Sequence, residues 1–229
     1  MKYDGQQIDM VWIDLDDTLI DFKGASRIAL RKVYDEERLD RFFSSPKAWE
    51  MAYEQHNYHL WQLYSGAKVD QPTLRMERFR LPLVEADIAD DIARSMSARM
   101  DPVYLQYLAD ASTVLPGAIE LIDTLKGTGV PVGILSNGFT EVQNRKLQVT
   151  GLDKMIDLMV LSDEIGINKP NAELFENAMK RASQHSTSAL CTIRDNVTPH
   201  IAVDRLTGSI YTVRHAHRPL LTHPRLRPH

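Results

Sequence analysis

The sequence predicts an α/β fold: a five-stranded parallel sheet, interrupted after its first strand by a long all-helical insertion. Three observations predict it. A short apolar run bounded by acids, Ile8 to Ile13, reads as a buried strand. Residues 24–108 then carry helical spacing throughout. Beyond residue 109, short apolar strands alternate with helices of about ten residues, which implies right-handed βαβ units and hence a parallel sheet.

In the insertion, Ala25, Ile28, Ala29 and Val33 recur at helical spacing, as do Ala48, Met51 and Ala52, and Ile88, Ile92, Met96 and Met100. Pro46, Pro72, Pro82 and Pro102 are expected at or near helix starts, where a missing N–H costs nothing. Pro116-Gly117 opens a helix from Ala118 to Lys126. A strand at Val130–Leu135 ends in Ser136-Asn137-Gly138, and a helix from about Thr140 to Val149 stops at Gly151. Leu158–Leu161 is the third strand, Ala172–Ala182 a helix, Ala189–Ile193 the fourth strand and Ser209–Val213 the fifth. Residues 1–20 and 109–229 are thus expected to form the core domain, and 21–108 the inserted one. Ligands of open parallel sheets sit at the carboxyl ends of the strands, so an insertion leaving the first strand is expected to hang over that site as a lid.

Composition narrows the function. The chain has 229 residues, 43% hydrophobic and 25% charged, an ordinary globular composition. A net charge of −4 points to neither nucleic acid nor an anionic membrane. One cysteine, Cys191, excludes an intrachain disulfide and suits a reducing, cytoplasmic setting. The opening Met-Lys-Tyr-Asp-Gly-Gln-Gln has no apolar signal segment, and no apolar run is long enough to span a membrane. Residues 200–229 carry five arginines against one acid, a local +4 that leaves −8 for the rest; the last dozen residues have no period and read as a solvated tail.

The chemistry concentrates at strand ends. Asp14 and Asp16 stand two residues apart just past the first apolar run, where a nucleophile and a general acid/base can be held together. Aspartate is a known covalent phosphoryl acceptor. The string Asp14-Leu15-Asp16-Asp17-Thr18-Leu19 resembles the first motif, DxDxT, of the haloacid dehalogenase-like (HAD) superfamily. Ser136, at the end of the second strand and followed by Asn137, resembles the family's second motif, a hydroxyl that binds a phosphoryl oxygen together with the following main-chain N–H groups. Lys169, in Asn168-Lys169-Pro170, resembles the third, a lysine that offsets the charge of the aspartate and the phosphate. Asp195-Asn196 resembles the fourth. Two positions depart from it: Arg194 stands where glycine is usual, and His200 where a second carboxylate is expected.

The resemblance implies a Rossmann-like core of five parallel strands with a helical cap of the C1 type, most like the pyrimidine 5′-nucleotidase branch. It implies Asp14 as nucleophile, Asp16 as general acid and then base, and Thr18, Ser136, Asn137 and Lys169 as phosphate contacts. It also implies Mg²⁺ on the Asp14 carboxylate, the Asp16 carbonyl and Asp195, since that ion takes hard oxygen ligands. The expected activity is hydrolysis of a small phosphorylated metabolite, foremost a nucleoside 5′-monophosphate, by a monomer or homodimer with no nucleic-acid or membrane partner. Two alternatives stand beside it. A metal-free haloacid dehalogenase would have no use for Asp16. A binding protein with a disabled fourth motif would account for Arg194 and His200.

Trp49, Tyr53, His56, Tyr58, His59, Trp61 and Tyr64 could stack on a nucleobase. The reading preferred for most of them is the helical domain's own core. His56 and His59 lack the further ligands a zinc site needs, and Cys191 reads as a buried strand residue.

Overall fold

A computed structural model describes residues 2–3, 6–8, 10–185, 190–194, 200–204 and 209–213, with side-chain surroundings for 8 and 10–184. In chain order the elements are β1 (Lys2–Tyr3), β2 (Gln6–Gln7), β3 (Met10–Ile13), α1 (Phe22–Glu36), α2 (Pro46–Ser65), α3 (Gln71–Glu85) and α4 (Asp90–Asp110). They continue with α5 (Ala118–Gly127), β4 (Val132–Ser136), α6 (Thr140–Thr150), β5 (Leu158–Leu161), α7 (Ser162–Ile165), α8 (Ala172–His185), β6 (Leu190–Arg194), β7 (His200–Asp204) and β8 (Ser209–Val213). Two compact units result. Met1–Asp21, Val114–Thr140 and Thr150–His229 form a sheet unit; Phe22–Thr113 and Glu141–Val149 form a helical unit.

In the sheet unit the strand order is β5-β4-β3-β6-β7-β8. The first four of these are mutually parallel, with Ile13 opposite both Ile134 and Arg194, and Ser136 opposite Leu161. The α/β class and the parallel sheet are as expected, but the far edge is not. Among the described residues the sheet has six strands, and Ser209–Val213 runs antiparallel to an additional strand, β7, which is itself antiparallel to β6. Connection length explains this. Only residues 195–199 and 205–208 separate these strands, whereas a parallel return needs a crossover of a dozen residues or more.

Met10 and Trp12 of β3, Leu135 of β4 and Val160 of β5 pack with Leu174, Phe175, Ala178, Met179 and Ala182 of α8 into one buried cluster. Period 3.6 on α8 supplies the helix side of that layer, and the parallel strands are apolar on successive residues because both faces are covered. Gly133 admits the Trp12 ring: a Cβ there would lie 2.5 Å from Trp12 Cε3. Strand edges are pinned by side chains as well, since Asp157 Oδ2 accepts from the Val132 N–H at 2.9 Å.

The helical unit is built on aromatics. Trp49 and Tyr53 from α2, Phe79 from α3 and Tyr104 from α4 are buried and pack ring against ring, with centroids 5.0 to 6.3 Å apart. Ser45 caps α2 by accepting from the Ala48 N–H at 3.1 Å, and Asp70 caps α3 by accepting from Thr73 at 2.9 Å. Of the positions expected to face inward, Ala25, Ala29, Val33, Ile88, Met96 and Met100 are buried, Ala48 and Ala52 are half-buried, and the other three are not. Ile28, Met51 and Ile92 are exposed, while Leu30, Trp49 and Ala93 turn inward. Rings bury more area than any aliphatic residue, so they decide which stripe of each helix faces the core. Two prolines also differ from expectation. Pro46 and Pro72 open their helices, but Pro82 and Pro102 lie inside α3 and α4. An interior proline costs about 3 kcal/mol; burial of Leu74, Phe79 and Leu83 on α3, and of Met100, Tyr104 and Leu108 on α4, outweighs that local cost. No helix among the described residues is long and apolar enough to cross a membrane.

Candidate active site

Parallel pairing of β3, β4 and β5 brings their carboxyl ends side by side, so Asp14, Ser136 and Ser162 each follow or close a strand on one edge of the sheet unit. Beyond β3 the chain makes a tight turn. The Leu15 carbonyl accepts from the N–H groups of Leu19 at 2.9 Å and Ile20 at 3.1 Å, and the Asp17 N–H donates to the Ile20 carbonyl at 2.8 Å. Asp17 takes a left-handed conformation, φ 55°, which aspartate tolerates better than most residues. The turn leaves Asp14 buried, and Asp16, Asp17 and Thr18 half-buried.

Lys169 reaches this turn from the loop between α7 and α8. Its Nζ donates to Asp14 Oδ1 at 2.6 Å and to the Leu135 carbonyl at 3.1 Å. Asp14 and Lys169 are each 7% exposed, so this is a charge-assisted bond largely removed from water. Thr18 Oγ1 donates to the other carboxylate oxygen, Asp14 Oδ2, at 3.3 Å. Ser136 is buried, and its Oγ accepts from the Gly138 N–H at 3.3 Å. Asn137 holds the Lys169 main chain: its Oδ1 accepts from the Lys169 N–H at 2.7 Å, and its Nδ2 donates to the Lys169 carbonyl at 3.1 Å.

Asp14, Thr18, Asn137 and Lys169 therefore come together as one bonded group, with Ser136 adjacent in the chain and Asp16 in the same turn. Asp195 lies outside the described residues, as does Asn196. Asp163 was missed from sequence: its Oδ2 accepts from the Thr140 N–H at 2.9 Å, fixing the start of α6 just past Ser136-Asn137. An acid two residues beyond a parallel strand was the available signal. For a divalent ion, the described residues offer the Asp14 carboxylate and the main chain of the Asp16 turn, both hard oxygen donors. Among the described residues no three His, Cys, Asp or Glu side chains cluster.

A buried carboxylate paired with a lysine at the carboxyl ends of a parallel sheet is an arrangement suited to nucleophilic group transfer. Residues 8–191 match the haloacid dehalogenase-like hydrolase family. The chain belongs to that family. As a HAD-like hydrolase it is 26% identical over 193 residues to pyrimidine 5′-nucleotidase YjjG of Escherichia coli (strain K12), covering 84% of this chain and 80% of that protein. It is 27% identical over 188 residues to pyrimidine 5′-nucleotidase PynA of Streptococcus pneumoniae (strain ATCC BAA-255 / R6), covering 82% and 76%. The crystal structure of the HAD-hydrolase YfnB from Bacillus subtilis, bound to magnesium, shares the fold with a TM-score of 0.69 at 24% identity, over 83% of this chain and 81% of that one.

Proposed function

We propose that this HAD-like hydrolase is a Mg²⁺-dependent phosphomonoesterase acting through an aspartyl phosphate, with a nucleoside 5′-monophosphate as substrate. The observation that carries the reading is the buried pair of Asp14 and Lys169, 2.6 Å apart at the carboxyl ends of β3 and β4. Nucleotide specificity is supported by the likeness to the two pyrimidine 5′-nucleotidases.

In the first half-reaction an Asp14 carboxylate oxygen attacks phosphorus in line, and the bond from phosphorus to the ester oxygen breaks. Protonated Asp16 gives its proton to the departing alkoxide. In the second, Asp16 takes a proton from water as that water attacks the phosphorus, releasing inorganic phosphate and restoring Asp14. The Lys169 ammonium offsets the negative charge on Asp14 and the phosphoryl oxygens throughout. Ser136 and the main-chain N–H groups after β4 bind one phosphoryl oxygen, and Thr18 orients the second Asp14 oxygen. Asp14, the Asp16 carbonyl and Asp195 would hold Mg²⁺, which when bound supplies positive charge to the phosphoryl oxygens. Asp16 separates this reading from a dehalogenase, because a departing halide needs no proton. The single cysteine suits a cytoplasmic setting.

Phosphate release from a panel of nucleoside monophosphates, sugar phosphates and p-nitrophenyl phosphate, with Mg²⁺ and with EDTA, tests the reading. Metal-dependent release, fastest from a nucleoside 5′-monophosphate, is expected. Halide release from 2-haloacids in EDTA would move the chain to the dehalogenases. No release by the folded protein would instead leave a binding protein whose fourth motif, with Arg194 and His200, no longer serves catalysis.

A further inference from the structure

Lys169 is fixed at two places. Its ammonium is held by Asp14 Oδ1 and the Leu135 carbonyl. Its main chain is held by the side-chain amide of Asn137, which accepts from the Lys169 N–H at 2.7 Å and donates to the Lys169 carbonyl at 3.1 Å. One planar group thus satisfies both polar main-chain groups of one residue. The same two-bond exchange joins opposed residues in an antiparallel ladder.

Lys169 lies between α7 and α8, outside helix and strand, so no regular ladder sets the direction of its Cα–Cβ bond. Burial makes partners for its main-chain groups obligatory. Asparagine fits this task by chemistry: aspartate would accept from the N–H but could not donate to the carbonyl, and alanine would do neither. Asn137 directly follows Ser136, the last residue of β4. The rigid strand end therefore locates the loop lysine.

We propose that Asn137 is a positioning residue, which acts through Lys169 and not by its side chain on the substrate. This rests on the catalytic role given to Lys169 above. Without the clasp, Asp14 and the ammonium would meet in a spread of geometries, and misplacement by about 1 Å is enough to cost about 10²-fold in rate.

The test compares Asn137→Ala, Asn137→Asp, Lys169→Ala and the double variant Asn137→Ala/Lys169→Ala in the full chain. Asn137→Ala should lower kcat by about 10- to 10²-fold with little change in KM. Asn137→Asp, which keeps one of the two bonds, should fall between Asn137→Ala and the unaltered protein. The double variant should be no slower than Lys169→Ala alone, because a residue acting through Lys169 has nothing left to act on. A raised KM with kcat unchanged, or additive losses in the double variant, would overturn the proposal in favour of direct substrate contact. Competitive labelling of Lys169 with acetic anhydride reads the clasp without any substrate. Faster labelling in Asn137→Ala, at an unchanged midpoint of thermal unfolding, is the expected result, and unchanged labelling would overturn the proposal. If the unaltered protein releases no phosphate from any ester, the labelling alone decides the clasp and the phosphatase reading fails separately. Should Asn137→Ala not fold, Asn137→Asp takes its place in each measurement.

Discussion

Among the described residues two buried carboxylates are paired with cations, Asp101 in the helical unit and Asp14 in the sheet unit, and they are built differently. In the helical unit Asp101 receives the Arg78 guanidinium at 2.5 Å on one oxygen and Arg75 Nε at 2.7 Å on the other. Both its partners come from α3, facing across from α4, and the Arg78 guanidinium also stacks over the Phe79 and Tyr104 rings at 5.2 and 5.0 Å. In the sheet unit Asp14 meets a lysine carried by a loop. Its oxygens face Lys169 and Thr18 at the open ends of parallel strands.

The difference teaches that burial of an ion pair does not by itself mark a catalytic site. Two guanidinium forks spend the Asp101 oxygens on fixed geometry, and such a group ties helices together. A single ammonium, with three donors and a flexible stem, suits the proposed reaction, in which charge moves from carboxylate to phosphoryl oxygen. Position in the topology separates them, since strand ends of an open parallel sheet are where ligands bind.

The largest effect should come from Asp14→Asn, which should lower phosphate release by the folded fraction by about 10⁴-fold or more. Retained turnover in a steady-state assay would place the nucleophile elsewhere and erase the contrast. Next, Asp101→Ala should destabilise the chain by about 3 to 5 kcal/mol, because it strands the buried Arg78 charge. Denaturant unfolding measures this, and the kcat of the folded fraction should hold. Loss of turnover without loss of stability would instead bring Asp101 into the chemistry. Gly133→Ala should cost about 1 to 3 kcal/mol by the same method, through the clash with Trp12 beneath the site; a neutral result would mean that the ring can tilt away. The smallest effect belongs to the exposed Arg31–Asp35 pair, 3.0 Å apart within one turn of α1. Arg31→Ala should change stability by about 0.5 kcal/mol or less, and a larger loss would show that exposed pairs contribute to holding the helical unit.

Much of this was legible in the chain. Asp14 and Asp16 stand out by their place past the first apolar run, and Thr18, Ser136 and Lys169 by resemblance to the family's motifs; the turn and the parallel register bring them to one edge. The edge of the sheet was less legible. Ser209–Val213 has strand composition, but composition carries no direction, and the strand His200–Asp204 went unread between charged and polar neighbours. On the helices, Ile28 and Met51 fit the period as well as Leu30 and Trp49 do. A 3.6-residue repeat constrains a stripe only to within about one position, and the choice falls to whichever side chains find partners on the next helix. Of the seven aromatic and histidine positions considered on α2, Trp49 and Tyr53 are core as preferred, while Tyr58 is 70% exposed.

The sequence by itself determined the family, the alternation of strand and helix, and the carboxylate proposed as nucleophile, because period and motif spacing are local and survive without partners. Only the tertiary structure decided that Asn137 grips the Lys169 main chain 32 residues away, that Lys169 reaches Asp14 across 155, and that Arg78 is neutralised by Asp101. Those pairings depend on which buried groups need a partner once the chain has closed around them. That need arises when water leaves, so no stretch of residues states it in advance.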